Sequence, residues 1–192
     1  MRKWAIVLVP VVTVLAVAYM LPAAPATAEA APSTSSIAAQ DATYVGGRDG
    51  CRKCHLREFR SWQRTPHAKA FDILKDEGED GNPDCVKCHV TGFGDASGFT
   101  SEADTPQLSN VTCEVCHGPG GTYTKTEHMS LKNKSYKKAE VVAVGMVDTV
   151  AVEQCKGCHN TESPFVGDDY VFDFEVNKDK GTHRKFPLKY EH

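Results

Sequence analysis

The chain has 192 residues, 41% of them hydrophobic, with 8 Cys, 8 His and a net charge of −3. That length suits one domain plus a targeting segment, and the acidic balance argues against a nucleic-acid partner, which needs a basic face. The first thirty residues hold an outsized share of the apolar side chains, so the polar remainder cannot build a large apolar core.

At the N-terminus, Arg2 and Lys3 precede an apolar run from Trp4 to Leu21 and the small residues Ala26-Thr27-Ala28. A basic start, an apolar middle and an A-x-A site define a secretory signal peptide, expected over residues 1–28. The apolar run also approaches the roughly 20 residues that span a bilayer, so an uncleaved anchor competes with it. Pro10 and the small-residue site favour cleavage. Both readings export the protein to the periplasm or the extracellular space. Removing Arg2 and Lys3 lowers the charge from −3 to −5. Residues 29–43 are small and polar without periodicity and read as a flexible linker. The functional domain is expected over 44–192.

The pattern of that domain predicts a mainly α fold with long loops. Helices are expected at 57–63, 66–75, within 137–145, at 150–159 and at 174–180. Thr65 and Pro66 suit the N-cap and first position of the second. His67, Phe71 and Leu74 then share one face, suited to packing on a flat cofactor. Residues 92–108 are rich in Gly, Ser, Asp and Thr and predict a loop with room for a short hairpin. Gly118-Pro119-Gly120-Gly121 stops any helix there.

All eight cysteines form pairs at one spacing: Cys51 and Cys54, Cys85 and Cys88, Cys113 and Cys116, Cys155 and Cys158. Three chemistries use such pairs. Disulfides could join eight cysteines in about 105 ways, two pairs could hold zinc tetrahedrally, or each pair could bind haem covalently. The next residue separates them, because His55, His89, His117 and His159 follow their pairs at once. A disulfide or a complete Cys₄ zinc site has no use for that imidazole, whereas C-x-x-C-H is the c-type haem attachment signature. The thiols add to the porphyrin vinyl groups, and the adjacent His becomes the proximal iron ligand. The sequence therefore predicts four haem c groups.

His67, His128, His183 and His192 remain as second axial ligands. A sixth ligand suits an electron carrier, and an open position suits small-molecule binding. His128 lies in a polar stretch without periodic apolar neighbours, and His183 follows the last expected helix. His192 is the terminal residue and the weakest candidate, because chain ends fray.

The order of parts resembles the tetrahaem cytochromes of the cytochrome c-554 family. The resemblance is carried by Cys51-Arg-Lys-Cys-His55, Ser61-Trp62, Thr65-Pro-His67-Ala-Lys-Ala70, Cys85-Val-Lys-Cys-His89-Val-Thr-Gly-Phe-Gly94, Gly98-Phe99-Thr100, Cys113-Glu-Val-Cys-His117-Gly-Pro-Gly120, Cys155-Lys-Gly-Cys-His159 and Tyr170-Val-Phe-Asp-Phe174. It runs from Tyr44 to His183. It implies a compact multihaem fold with a haem-dominated core and haems in stacked pairs. It also implies axial pairs of His55 with His128, His117 with His67, and His159 with His183. The haem on His89 is left without a protein ligand on its far side, and His192 is left spare.

With few apolar residues, the haems must supply much of the buried surface, and the haem-free chain is expected to be largely unfolded. A ligand reaching a distant motif restricts the unfolded chain much as a disulfide does. The leading function is electron transfer between exported redox proteins or cytochromes, with no catalytic residue. Membrane contact is expected only through an uncleaved signal or a membrane-bound redox partner. Docking would use salt-sensitive charge complementarity, with Lys132, Lys134, Lys137 and Lys138, or Asp76, Glu77, Glu79 and Asp80, as candidate faces. Two other readings stand beside it: binding or reduction of nitric oxide or a similar ligand at an open iron on His89, and assembly into a conducting filament.

Overall fold

The computed structural model describes residues 43–132 and 134–187. The expected signal peptide, all of the linker but Thr43, and His192 lie outside the described residues. The helices are α1 (Gly47–Cys51), α2 (Leu56–Trp62), α3 (Ala70–Glu77), α4 (Pro83–His89), α5 (Cys113–His117), α6 (Lys138–Ala143), α7 (Val152–Lys156) and α8 (Phe174–Asn177). Two 3₁₀ turns, Pro66–Lys69 and Pro106–Leu108, join them. The longest helix has 8 residues, below the roughly 12–15 that stand alone in water. Tertiary contacts or ligands must therefore hold these helices. No strand occurs among the described residues, where one isolated antiparallel bridge links Val90 to Ser109. No helix among them is long and apolar enough to cross a membrane.

The expected mainly α fold with long loops is the one observed, but several boundaries move for local reasons. α1, α4 and α5 are additional to the expected helices. In α4, Asn82 Oδ1 accepts the Asp84 N–H at 3.1 Å while Pro83 takes the first helical position, a cap-and-proline start. The helix expected at 150–159 shortens to α7, and that at 174–180 to α8, capped where Asp173 accepts the Val176 N–H at 3.0 Å. α5 stops at Gly118, whose φ of 79° needs no Cβ penalty. The loop over 92–108 forms no hairpin.

The largest correction concerns 66–75. Its first turn is 3₁₀, and only Ala70 onward is α. Thr65 occupies the N-cap position, but its hydroxyl donates back to the Trp62 carbonyl at 2.8 Å. Asn110 Oδ1 instead accepts the Phe71 N–H at 2.8 Å. The 3₁₀ turn has about 3.0 residues per turn rather than 3.6, so His67 leaves the face of Phe71 and Leu74. Those two join Val86, Val90, Phe99 and Leu108 in an apolar core, with Tyr44 and Cys85 packed against it. They pack on protein, and His67 alone turns toward the tail.

Buried polar groups stitch the rest of this half. The Thr91 hydroxyl donates to the Asn110 carbonyl at 2.9 Å and accepts the Thr112 N–H at 3.1 Å. The Trp62 indole donates to the Val111 carbonyl at 3.0 Å. Beyond Tyr123, Val141 is the only buried residue among those described.

Candidate metal centre

Each C-x-x-C-H motif occupies one helical turn. α4 carries Cys85, Cys88 and His89, and α5 carries Cys113, Cys116 and His117. The other two helices end earlier, yet the His55 N–H still bonds the Cys51 carbonyl at 2.9 Å, and His159 bonds Cys155 at 2.9 Å. The helical turn therefore runs from first cysteine to histidine in all four, putting both thiols and the imidazole on neighbouring positions.

No two of the eight cysteines are joined as a disulfide. Among the described residues, no three His, Cys, Asp or Glu side chains converge as a metal ion would require. This geometry builds neither the disulfides nor the tetrahedral zinc considered above. Burial pushes the Cys116 thiol up to about 11 and Cys158 up to about 12. Cys51 is raised chiefly by its hydrogen bond with Cys113, which is lowered by the same bond. Apart from Cys113, these shifts favour the protonated thiol, unlike the exposed low-pKa thiolates of exchange motifs.

Thiols that feel one another order the motifs. Cys51 hydrogen-bonds Cys113, Cys116 interacts with Cys155, and Cys158 hydrogen-bonds Cys88. The first motif thus neighbours the third, the third the fourth, and the fourth the second.

The histidines are aimed by the backbone. His89 Nδ1 lies 2.5 Å from the Ala70 carbonyl, His117 Nδ1 3.0 Å from that of Val147, and His183 Nδ1 2.8 Å from that of Arg184. Against a carbonyl the ring nitrogen must donate, which fixes the tautomer and leaves Nε2 free as a ligand. The Gly181 backbone lies against the His67 ring and raises its pKa a little against the lowering by burial. A Cβ on Gly181 would lie 2.7 Å from His67 Cε1, so only glycine lets the ring sit there.

Two imidazole pairs result. The His67 and His159 ring centres are 5.9 Å apart, and those of His117 and His183 are 6.0 Å apart. A metal held at about 2.0–2.1 Å by a nitrogen of each ring, with about 1.1 Å more to each centre, sets them about 6 Å apart. Both pairs therefore fit one iron between them. Burial holds His67, His117 and His159 below the ordinary imidazole value, and the facing His159 and His183 add to this for His67 and His117. The neutral ring this favours is the ligating form.

These pairs differ from those the resemblance implied. His67 faces His159 rather than His117, and His183 faces His117 rather than His159. The tail explains the exchange: the Arg184 N–H donates to Ser61 Oγ at 2.9 Å, tying 181–184 to α2 so that Gly181 backs His67 and His183 reaches the third motif. No ring contact joins His55 to His128 among the described residues. His128 is half-buried, with Nε2 3.5 Å from Glu127. His89 faces no other described imidazole.

Sequence reasoning misses two participants. Gly181 carries no signal because its role is to be absent from a space. Glu114, between Cys113 and Cys116, is buried although glutamate is almost never fully buried.

Helical turns that each present two thiols and an imidazole, with second imidazoles set opposite two of them, define a c-type cytochrome. A family model described as "Cytochrome c554 and c-prime" matches residues 50–118. Cytochrome c-554 of Nitrosomonas europaea is 33% identical over 193 residues, spanning 82% of this chain and 81% of its own. The structure of the reduced state of cytochrome c554 from that organism superimposes with a TM-score of 0.63 at 30% identity, over 79% of this chain and 91% of its own. The chain belongs to the cytochrome c-554 family, electron carriers that hold haem c covalently.

Proposed function

We propose that all four motifs carry haem c and that electrons pass along them in the order first, third, fourth, second. The hydrogen bonds of Cys51 with Cys113 and of Cys158 with Cys88, and the field of Cys155 felt at Cys116, support this order. Bound haem supplies one-electron exchange at its iron. The chain supplies everything else. Where haem is bound, the cysteines would anchor it and His55, His89, His117 and His159 would ligate its iron. His183 and His67 would supply second ligands at the third and fourth motifs, and His128 is assigned to the first. The carbonyls of Ala70, Val147 and Arg184 and the backbone of Gly181 keep the rings aimed.

The protein works outside the cytoplasm, delivered by the signal at 1–28, and exchanges electrons with other exported redox proteins. Propionates add roughly −2 per haem to the −5 of the mature chain, so cationic partner faces and salt-sensitive docking follow. Intact mass of the purified protein is expected to show four haems on a chain lacking residues 1–28. A mass with fewer haems overturns the proposal.

A second reading concerns His89. Its Nδ1 is anchored at 2.5 Å to Ala70, and no described imidazole faces it, which favours an open iron position for nitric oxide or a similar ligand. The ferric protein is then expected to give one high-spin signal beside low-spin ones, and the ferrous protein to bind carbon monoxide at one haem. If no haem binds carbon monoxide, the open-site reading fails, and four bis-histidine haems with His192 recruited replace it.

A further inference from the structure

We infer that the buried carboxylate of Glu114 lowers the reduction potentials of the haems on the first and third motifs. The inference rests on those two motifs carrying haem. Glu114 is 2% exposed. Its Oε1 accepts the Val45 N–H at 2.9 Å and the Gly120 N–H at 2.7 Å, and its Oε2 accepts the Gly47 N–H at 2.6 Å. Every partner is a backbone donor. None can accept a carboxyl proton, so these contacts satisfy the carboxylate form.

No ion pair among the described residues includes Glu114. The amide dipoles stabilise the charge without cancelling it. An uncompensated buried carboxylate would be costly, and three aimed amides reduce that cost. The position of the charge is specific as well. Glu114 sits in α5 beside Cys113, whose thiol meets Cys51 of the first motif, and both thiols lie in its field. A ferric haem carries one more positive charge than a ferrous one. A nearby anion unscreened by water therefore favours the ferric state and makes reduction harder.

The test is a redox titration of the holoprotein followed by NMR, which resolves the haems individually. In Glu114→Gln, the haems on the first and third motifs are expected to become easier to reduce by about tenfold in equilibrium constant, or 59 mV for a one-electron couple. The other two should stay in place. Glu114→Asp keeps the charge and should move neither pair comparably. Thr124→Lys offers a route that keeps Glu114 and its amides. A Cβ on Gly120 would lie 3.1 Å from both Thr124 Cγ2 and Glu114 Oε1, so an ammonium from position 124 can approach the carboxylate and should raise the same two potentials. Unmoved potentials in both charge-altering variants, an equal shift of all haems, or an Asp variant matching the Gln variant each overturn the inference while four haems remain bound. A wild-type protein without haem on either motif overturns the reading beneath it instead.

Discussion

Of the buried residues described, all but Val141 lie between Gly47 and Tyr123. That part has an apolar core around Phe71 and Leu74 and a buried ladder of hydrogen bonds through Thr91, Asn110 and Thr112. The part beyond Tyr123 has neither, yet it carries the fourth motif and supplies His159 and His183 to the two imidazole pairs. Its ties to the rest run through ligating rings and a few surface contacts, such as Arg57 over the Phe186 ring at 4.4 Å. The contrast teaches that the earlier part carries a protein core beside its three motifs, while the later part has none among the described residues and would lean on its haem.

Removing the haems should break this contrast most severely. A haem-free chain, made without the attachment machinery, is expected to lose the part of its circular dichroism signal that comes from α6, α7 and α8. Any residual amide protection should be confined to residues before Tyr123. A native-like spectrum would sink the idea that haem holds the later half.

Next in size is the loss of a ligand. His183→Ala should turn the third-motif haem, on His117, from low-spin to high-spin, while the fourth-motif haem on His159 stays low-spin. Paramagnetic resonance with haem-resolved NMR checks this, and the opposite assignment would restore the pairing of His183 with His159. A core deletion sharpens the other side of the comparison. Leu74→Ala should destabilise the earlier half by about 2–5 kcal/mol in denaturant titrations, with every haem keeping its spin state.

Smaller effects should follow at the junction between the halves. Gly181→Ala crowds the His67 ring and should perturb the low-spin signal of the His159 haem without abolishing it. Acid gives the mildest test. His67, His117 and His159 have folded pKa values below the ordinary 6.5, so the unfolded chain binds more protons and stability rises with pH. Their contribution is complete above about 6.5 and is lost as pH falls below it, where low-spin absorbance should decline. Constant absorbance down to pH 4 would contradict that sign.

The four C-x-x-C-H turns are legible in the sequence because the motif is strictly local: cysteines and histidine share one helical turn. The mainly α class is legible for the same reason. The ligand pairs are not, since they depend on where the tail crosses α2, which one hydrogen bond between Arg184 and Ser61 helps to set. The stripe of His67, Phe71 and Leu74 misleads because periodicity assumes a uniform helix, and the 3₁₀ turn breaks the phase. Glu114 is illegible because its amide donors come from Val45, Gly47 and Gly120, two segments that sequence alone does not bring together.

The segment from Gly181 to Arg184 has one more consequence. It backs His67 with Gly181, presents His183 to His117, and is tied to Ser61 through Arg184. Two imidazole pairs therefore share a single clasp, and their stiffness is common property. With haem bound, rings kept from drifting would add little reorganisation to each electron hop. A slack clasp would slow both inner members of the relay together.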